Sequence, residues 1–144
     1  MTGSKLSFGY SKDLEGTLKS WVPKLRDMVA RILKLEENIY SDTDEVLTNK
    51  LLFGSPVYRK VVDVGSLPNA TAKLVDHGID GLARILDVAG FATNGTLHIP
   101  LPYVNTSDIY SVSLYVSSTE ISVGTGTDRT SFSGYVILEY TKLE

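Results

Sequence analysis

The chain has 144 residues, 42% of them apolar and 22% charged, which is the composition of a folded protein and excludes a disordered tail. Cysteine is absent, so disulfide staples, thiolate zinc sites and thiol nucleophiles are excluded together. The net charge of −3 hides an uneven split, because residues 1–40 hold 7 basic and 5 acidic side chains while residues 41–144 hold 7 and 12. The densest basic pair after residue 40, Arg59 with Lys60, is too small for a nucleic-acid footprint, and no window is apolar enough for a helical membrane span.

Residues 1–12 lack the hydrophobic run of a secretory leader, since Leu6, Phe8 and Tyr10 alternate with small and polar residues. Apolar residues then recur at three-four spacing: Leu14, Leu18, Trp21, Leu25, Met28, Ile32, Leu35 and Ile39. In heptad terms Leu18, Leu25, Ile32 and Ile39 fall at a, and Leu14, Trp21, Met28 and Leu35 at d. Val22 and Val29 at e widen the stripe toward a trimer or larger bundle. Pro23 cannot donate to residue 19, so the pattern predicts a helix restarting at Trp21 with Ser20 as its cap. Residues 12–19 then form a short helix or extended lead-in, and residues 21–39 a rod about 28 Å long. The alternative is an ordinary amphipathic helix folded back on its own domain.

After Tyr40 the chain turns to Val, Thr, Ser, Tyr and Gly in alternating patterns. Val46 to Phe53 and Val57 to Val64 read as a hairpin about Gly54-Ser55-Pro56, with another turn at Leu67-Pro68-Asn69. Thr71 to His77 and Leu82 to Ala92 read as strands around a break at 78–81. Asn94-Gly95 predicts a type I′ hairpin joining Ile85–Thr93 to Thr96–Leu101, with Pro100 and Pro102 ending that strand or placing it at an edge. Tyr110, Val112, Leu114 and Val116 alternate with polar neighbours, Glu120 to Gly124 pairs back, and Tyr135 to Thr141 forms the last strand. The pattern predicts a segregated α+β chain: an N-terminal coiled-coil helix, then an antiparallel, jelly-roll-like β-sandwich of seven or eight strands, assembled as a homotrimer.

The chemistry-bearing residues are sparse. His77 and His98 lack metal-pair spacing and read as structural histidines. Ser41-Asp42-Thr43-Asp44-Glu45 gathers oxygens that could hold calcium but lacks the Gly and distal Glu of a calcium loop, so a solvated turn is the better reading. Gly124 to Arg129 has no following Lys-Ser or Lys-Thr for a phosphate cradle, and Asp128 with Arg129 reads as a loop-bracing pair. No nucleophile elbow occurs, so neither an enzyme nor a cofactor is expected; a hydrolase built on the β-scaffold is the remote alternative. The candidate contact residues are aromatics, Tyr103, Tyr110, Tyr115, Phe132 and Tyr135, which read as receptor or glycan contacts or, equally, as core and subunit contacts.

From Ile39 onward the chain resembles the distal domain of bacteriophage fibre proteins, the head fibres and receptor-binding tail fibres. The stretches that carry the resemblance are Ile39-Tyr40-Ser41, Gly54-Ser55-Pro56-Val57-Tyr58-Arg59-Lys60, Leu67-Pro68-Asn69, His77-Gly78-Ile79, Leu101-Pro102, Ser113-Leu114-Tyr115-Val116, Gly126-Thr127-Asp128-Arg129, Gly134-Tyr135-Val136 and Glu139-Tyr140-Thr141-Lys142. Leu51-Leu52-Phe53-Gly54-Ser55-Pro56 stands where such domains commonly carry a Trp and an Asp-Gly-Lys-Pro turn. The resemblance implies a virion component, and together with the heptad register and the β-rich remainder it gives the expectation of a virion-docking segment (1–11, with Leu6, Phe8 and Tyr10), a stalk (12–40) and an outward β-knob (41–144) on the virion surface. Its implied partners are two further copies of itself, a capsid or tail protein, and a host-surface glycan. The alternative is a stand-alone carbohydrate-binding β-sandwich module.

Overall fold

The structure is a computed structural model that describes residues 19–32 and 39–144, and the chain divides into two units, Met1–Asn38 and Ile39–Glu144. In the first unit residues 19–32 are helical (α1). Ser20 already lies within the helix, so it does not cap a segment opening at Trp21; the helix runs through Pro23, which cannot donate to the Lys19 carbonyl. Asp27 and Arg31, one turn apart, form an exposed ion pair at 3.4 Å, and the Lys24 ammonium lies 5.6 Å from the Trp21 ring centre. Leu6, Phe8, Tyr10, Leu14, Leu18 and Leu35 lie outside the described residues. Ile39 is not helical, so the rod does not extend to the last expected a position; Ile39 instead opens the second unit.

The second unit holds eight antiparallel strands: β1 (Val46–Leu52), β2 (Ser55–Ser66), β3 (Ala72–Asp76), β4 (Leu82–Thr93), β5 (His98–Leu101), β6 (Val112–Val116), β7 (Glu120–Thr125) and β8 (Ser133–Lys142). They form a five-stranded sheet, β1-β2-β8-β4-β5, and a three-stranded sheet, β3-β7-β6. Because β2 pairs with β8 and β3 with β7, the two-strand ribbons β2-β3 and β7-β8 pass from one sheet to the other together.

The alternation of each strand decides which residues meet between the sheets. Val62 and Val64 of β2, Val136, Leu138 and Tyr140 of β8, Ala92 of β4 and Ile99 and Leu101 of β5 face Val112 of β6 and Ile121 and Val123 of β7. Leu67 and Phe132 close one end of this core, where the Leu67 amide donates to the Phe132 carbonyl at 2.8 Å. Among the described residues the only aromatic hydroxyl carried this deep is that of Tyr140, which donates to Glu45 at 2.6 Å, and Lys142 donates to the other Glu45 oxygen at 2.8 Å.

Both expected hairpins form, with different turns. Leu52 pairs with Ser55, so the first turn is Phe53-Gly54, with φ of 50° and 81°, and Pro56 sits inside β2 opposite Leu51. Positive φ at both central residues is the backbone that matches strand twist, and Gly54 relieves half its strain. Asn94 keeps negative φ, so its loop is no type I′ turn. Its side chain instead accepts from the amides of Thr96 (3.0 Å) and Leu97 (2.8 Å), closing a four-residue connection between Thr93 and His98. Tyr110 ends a short 3-10 turn, Asp108–Tyr110, and is not part of β6.

Truncating the fully buried Leu138 to Ala should cost about 2–5 kcal/mol, whereas Leu74→Ala, on the exposed face of β3, should stay within about 0.5 kcal/mol. Chemical denaturation of the two variants reads this directly; equal losses would place the core elsewhere.

Candidate functional site

The five-stranded sheet has a second face, built from the positions that alternate with the core. Register sets three rows across it: Arg59, Glu139 and Asp87; Val61, Ile137 and Ala89; Asp63, Tyr135 and Phe91. Polar residues would be expected on the solvent side of a two-layer sandwich, yet the middle row is aliphatic and the third holds two rings. The segment leading into β1 lies along the edge of this face. The Val61 amide donates to the Ser41 carbonyl at 2.9 Å, and the Ser41 hydroxyl accepts from the Asp44 amide at 2.9 Å, which bends the chain there.

That bend places Tyr40 and Asp42 beside β2 and β8. Together with Val61, Asp63, Tyr135 and Ile137 they line an open groove of about 530 Å³. Its floor is aliphatic, two tyrosines form walls, and both of its charged groups are carboxylates. Asp63 accepts from the Gly65 amide at 2.7 Å through one oxygen, while Asp42 has neither hydrogen bond nor ion pair among the described residues.

Tyr40 is held from behind. The Arg59 guanidinium lies 4.3 Å from its ring centre, a cation over an aromatic face. Arg59 is fixed in turn by Glu139, which accepts from its Nε at 3.0 Å and its Nη2 at 2.6 Å. Lys50 donates to the other Glu139 oxygen at 2.6 Å. Arg59 and Glu139 are only 6% and 5% exposed. Burial pushes the Glu139 carboxyl up, but the hydrogen bonds and charges of Lys50 and Arg59 outweigh it and hold the group below the ordinary value of 4.5.

The five aromatics singled out from sequence do not converge. Tyr135 lines the groove. Tyr115 is 68% exposed in β6, on the outer side of the three-stranded sheet, opposite Ser122. Tyr110 is exposed, with the Arg129 guanidinium 5.7 Å from its ring centre. Tyr103 packs partly buried against the core, its hydroxyl accepting from Asn105 at 3.0 Å. Phe132 is a core residue, 5% exposed, so it is not a surface contact.

Of the polar candidates, His77 is buried; its Nδ1 accepts from the Ile79 amide at 3.1 Å, which leaves Nε2 to donate to the Ser117 carbonyl at 3.3 Å. His98 is exposed on the edge strand β5. The oxygens of 41–45 diverge: Asp42 lines the groove, while Glu45 binds Tyr140 and Lys142. Asp128 and Arg129 brace separate contacts. Asp128 accepts from the amide and hydroxyl of Thr130 at 2.9 and 2.8 Å, and Arg129 donates to the Tyr110 carbonyl at 2.9 Å.

Tyr40 and Asp63 were missed by sequence reasoning, which weighed Asp42 only as one of a run of calcium-type oxygens. The available signal was parity: in β2, Val61 and Asp63 share the odd face that Tyr135 occupies in β8. No protein-family model, curated protein or solved structure matches the chain.

The ion cluster makes part of the stability acid-sensitive. Because the Glu139 carboxyl is held below its unfolded value, its contribution is present above about pH 4.5 and is lost as pH falls through the lower folded value. Tyr140 is shifted the opposite way: burial, then its bond to Glu45, push the phenol up from 10.0, so its contribution is present below pH 10.0 and is lost at higher pH. Unfolding free energy measured against pH should fall on both sides. Tyr140→Phe should flatten the alkaline limb, and Glu139→Gln, which leaves Arg59 buried beside a neutral amide, should cost about 3 kcal/mol at neutral pH.

Proposed function

We propose that the chain is a non-enzymatic, homotrimeric fibre of a phage virion, a head fibre or tail fibre that decorates the particle and adheres to the host surface. The observation that carries this reading is the helix stripe. Trp21, Val22, Leu25, Met28, Val29 and Ile32 are each between 41% and 52% exposed, although they recur at coiled-coil spacing. Such a row loses contact with water when parallel copies pack a and d side chains into one another, and the additional e-position valines suit three helices. Fewer than three heptads make a weak coiled coil alone, so the knobs contribute to the association.

The β-unit supports the same reading. Its paired ribbons β2-β3 and β7-β8 cross between sheets as in a jelly-roll-like knob, while the hairpins β4-β5 and β6-β7 each stay within one sheet. In this assignment the segment around Leu6, Phe8 and Tyr10 docks on a capsid or tail protein, and the knob points outward.

Sedimentation equilibrium at micromolar concentration should return the mass of a trimer. Leu25→Asp combined with Met28→Asp should yield monomers that keep the β-rich circular dichroism of the second unit. A wild-type monomer across the concentration range would reject the fibre.

A further inference from the structure

From the lining of the groove on the five-stranded sheet we infer that it is a binding site for a quaternary ammonium group, the cationic, methyl-bearing head of a choline-like ligand. The groove offers two carboxylates and two tyrosine rings above Val61 and Ile137, and none of its lining residues is basic. A cation with an apolar shell meets each of these features: the carboxylates attract its charge, the ring faces attract it through their quadrupoles, and the methyl groups rest on the aliphatic floor.

The surrounding bases have partners outside the groove. Arg59 lies against Tyr40 and is neutralised by Glu139. Lys60 lines an adjoining hollow of about 280 Å³, which Asp42, Val61 and Asp63 also line, and it donates there to the Gly78 carbonyl at 3.2 Å. Lys73 donates to the Val64 and Ser66 carbonyls at 2.7 and 2.9 Å. The excess of acidic over basic side chains after residue 40 adds a field of the same sign. A neutral sugar fits the volume less well in chemistry, because it asks for donors as well as acceptors, and the lining side chains donate only through tyrosine hydroxyls. Tyr40 is the positioned element of the site: Glu139 fixes Arg59, and Arg59 fixes the ring.

The inference deepens the adhesive half of the fibre reading and rests on that reading for its biological setting, but the groove lies within one chain. The test titrates the full-length protein with choline chloride, with 3,3-dimethylbutanol (the neutral carbon isostere), and with methyl glucoside, following chemical shifts by NMR and mass by sedimentation on the same samples. Choline should bind saturably and at least about tenfold more tightly than either neutral probe, a factor equal to about 1.4 kcal/mol. Tyr135→Ala and Asp42→Asn should each weaken choline about tenfold while leaving the thermal midpoint within a few degrees of wild type. No saturation by choline, equal binding of the isostere or the glucoside, or full binding by both variants overturns the site. A trimer that fails to bind choline sinks the groove alone, and a monomer that binds it sinks the fibre alone.

Discussion

The two-residue repeat of β8 is the constraint on which both the core and the groove depend. Val136, Leu138 and Tyr140 point between the sheets, and Tyr135, Ile137 and Glu139 occupy the other face of the same strand. With β2 on one side and β4 on the other, β8 has no free edge along most of its length, so its register is fixed from both directions. A slip by one residue would put a carboxylate among aliphatic side chains and Leu138 in water, a change that core burial forbids. Close packing adds to the restriction: a Cβ on Gly134 would lie 2.5 Å from the Phe91 carbonyl oxygen and 2.8 Å from the Ala92 Cβ, so β4 approaches β8 there only because glycine is present.

The buried ions make sense in the same frame. Replacing an ion pair of this kind by hydrophobic residues of similar volume is often neutral or stabilising, so stability alone does not account for Arg59, Glu139 and Lys50. What an aliphatic replacement would lose is direction. The guanidinium has one plane fixed by two bonds to Glu139, and its face is what Tyr40 rests on. Tyr40 lies in an irregular segment before β1, where a ring would otherwise sample many rotamers. The charged cluster therefore transfers the rigidity of two central strands to a loop residue.

Most strands were legible from alternation, because each buries one face and the period of two survives into structure; β3, β4, β6 and β7 fall within a few residues of their expected limits. The helix was legible for the same reason at its own period, but the restart expected at Trp21 with Ser20 as its cap was not borne out, since residues 19–32 run as one helix through Pro23. Turn chemistry misled at both hairpins. Gly54-Ser55-Pro56 is the better local turn, yet pairing along β2 draws Ser55 and Pro56 into the sheet and leaves Phe53 at positive φ. Phe132 looked like a loop-borne ring and is a plug at the core's end, a role set by the long-range contact with Leu67. The groove was the least legible feature, because its lining comes from three stretches, 40–42, 61–63 and 135–137, brought together only by β2–β8 pairing and by the hydrogen bond from the Val61 amide to the Ser41 carbonyl.

The groove is shallow and open to solvent, and a site of that form holds a small cation weakly, since few atoms of the ligand lose water and each contributes a limited amount. Weakness in a single site changes meaning when copies are joined. On the proposed trimer the three β-units would be linked through their helices, and each binding event after the first would become intramolecular, with an effective concentration set by the linkage. The gain requires ligands displayed repeatedly on one surface and vanishes for a ligand free in solution. On this proposal a shallow acidic groove on each copy and an apolar helix that gathers copies would be complementary: the first would supply selectivity for charge, and the second would convert it into attachment to an array.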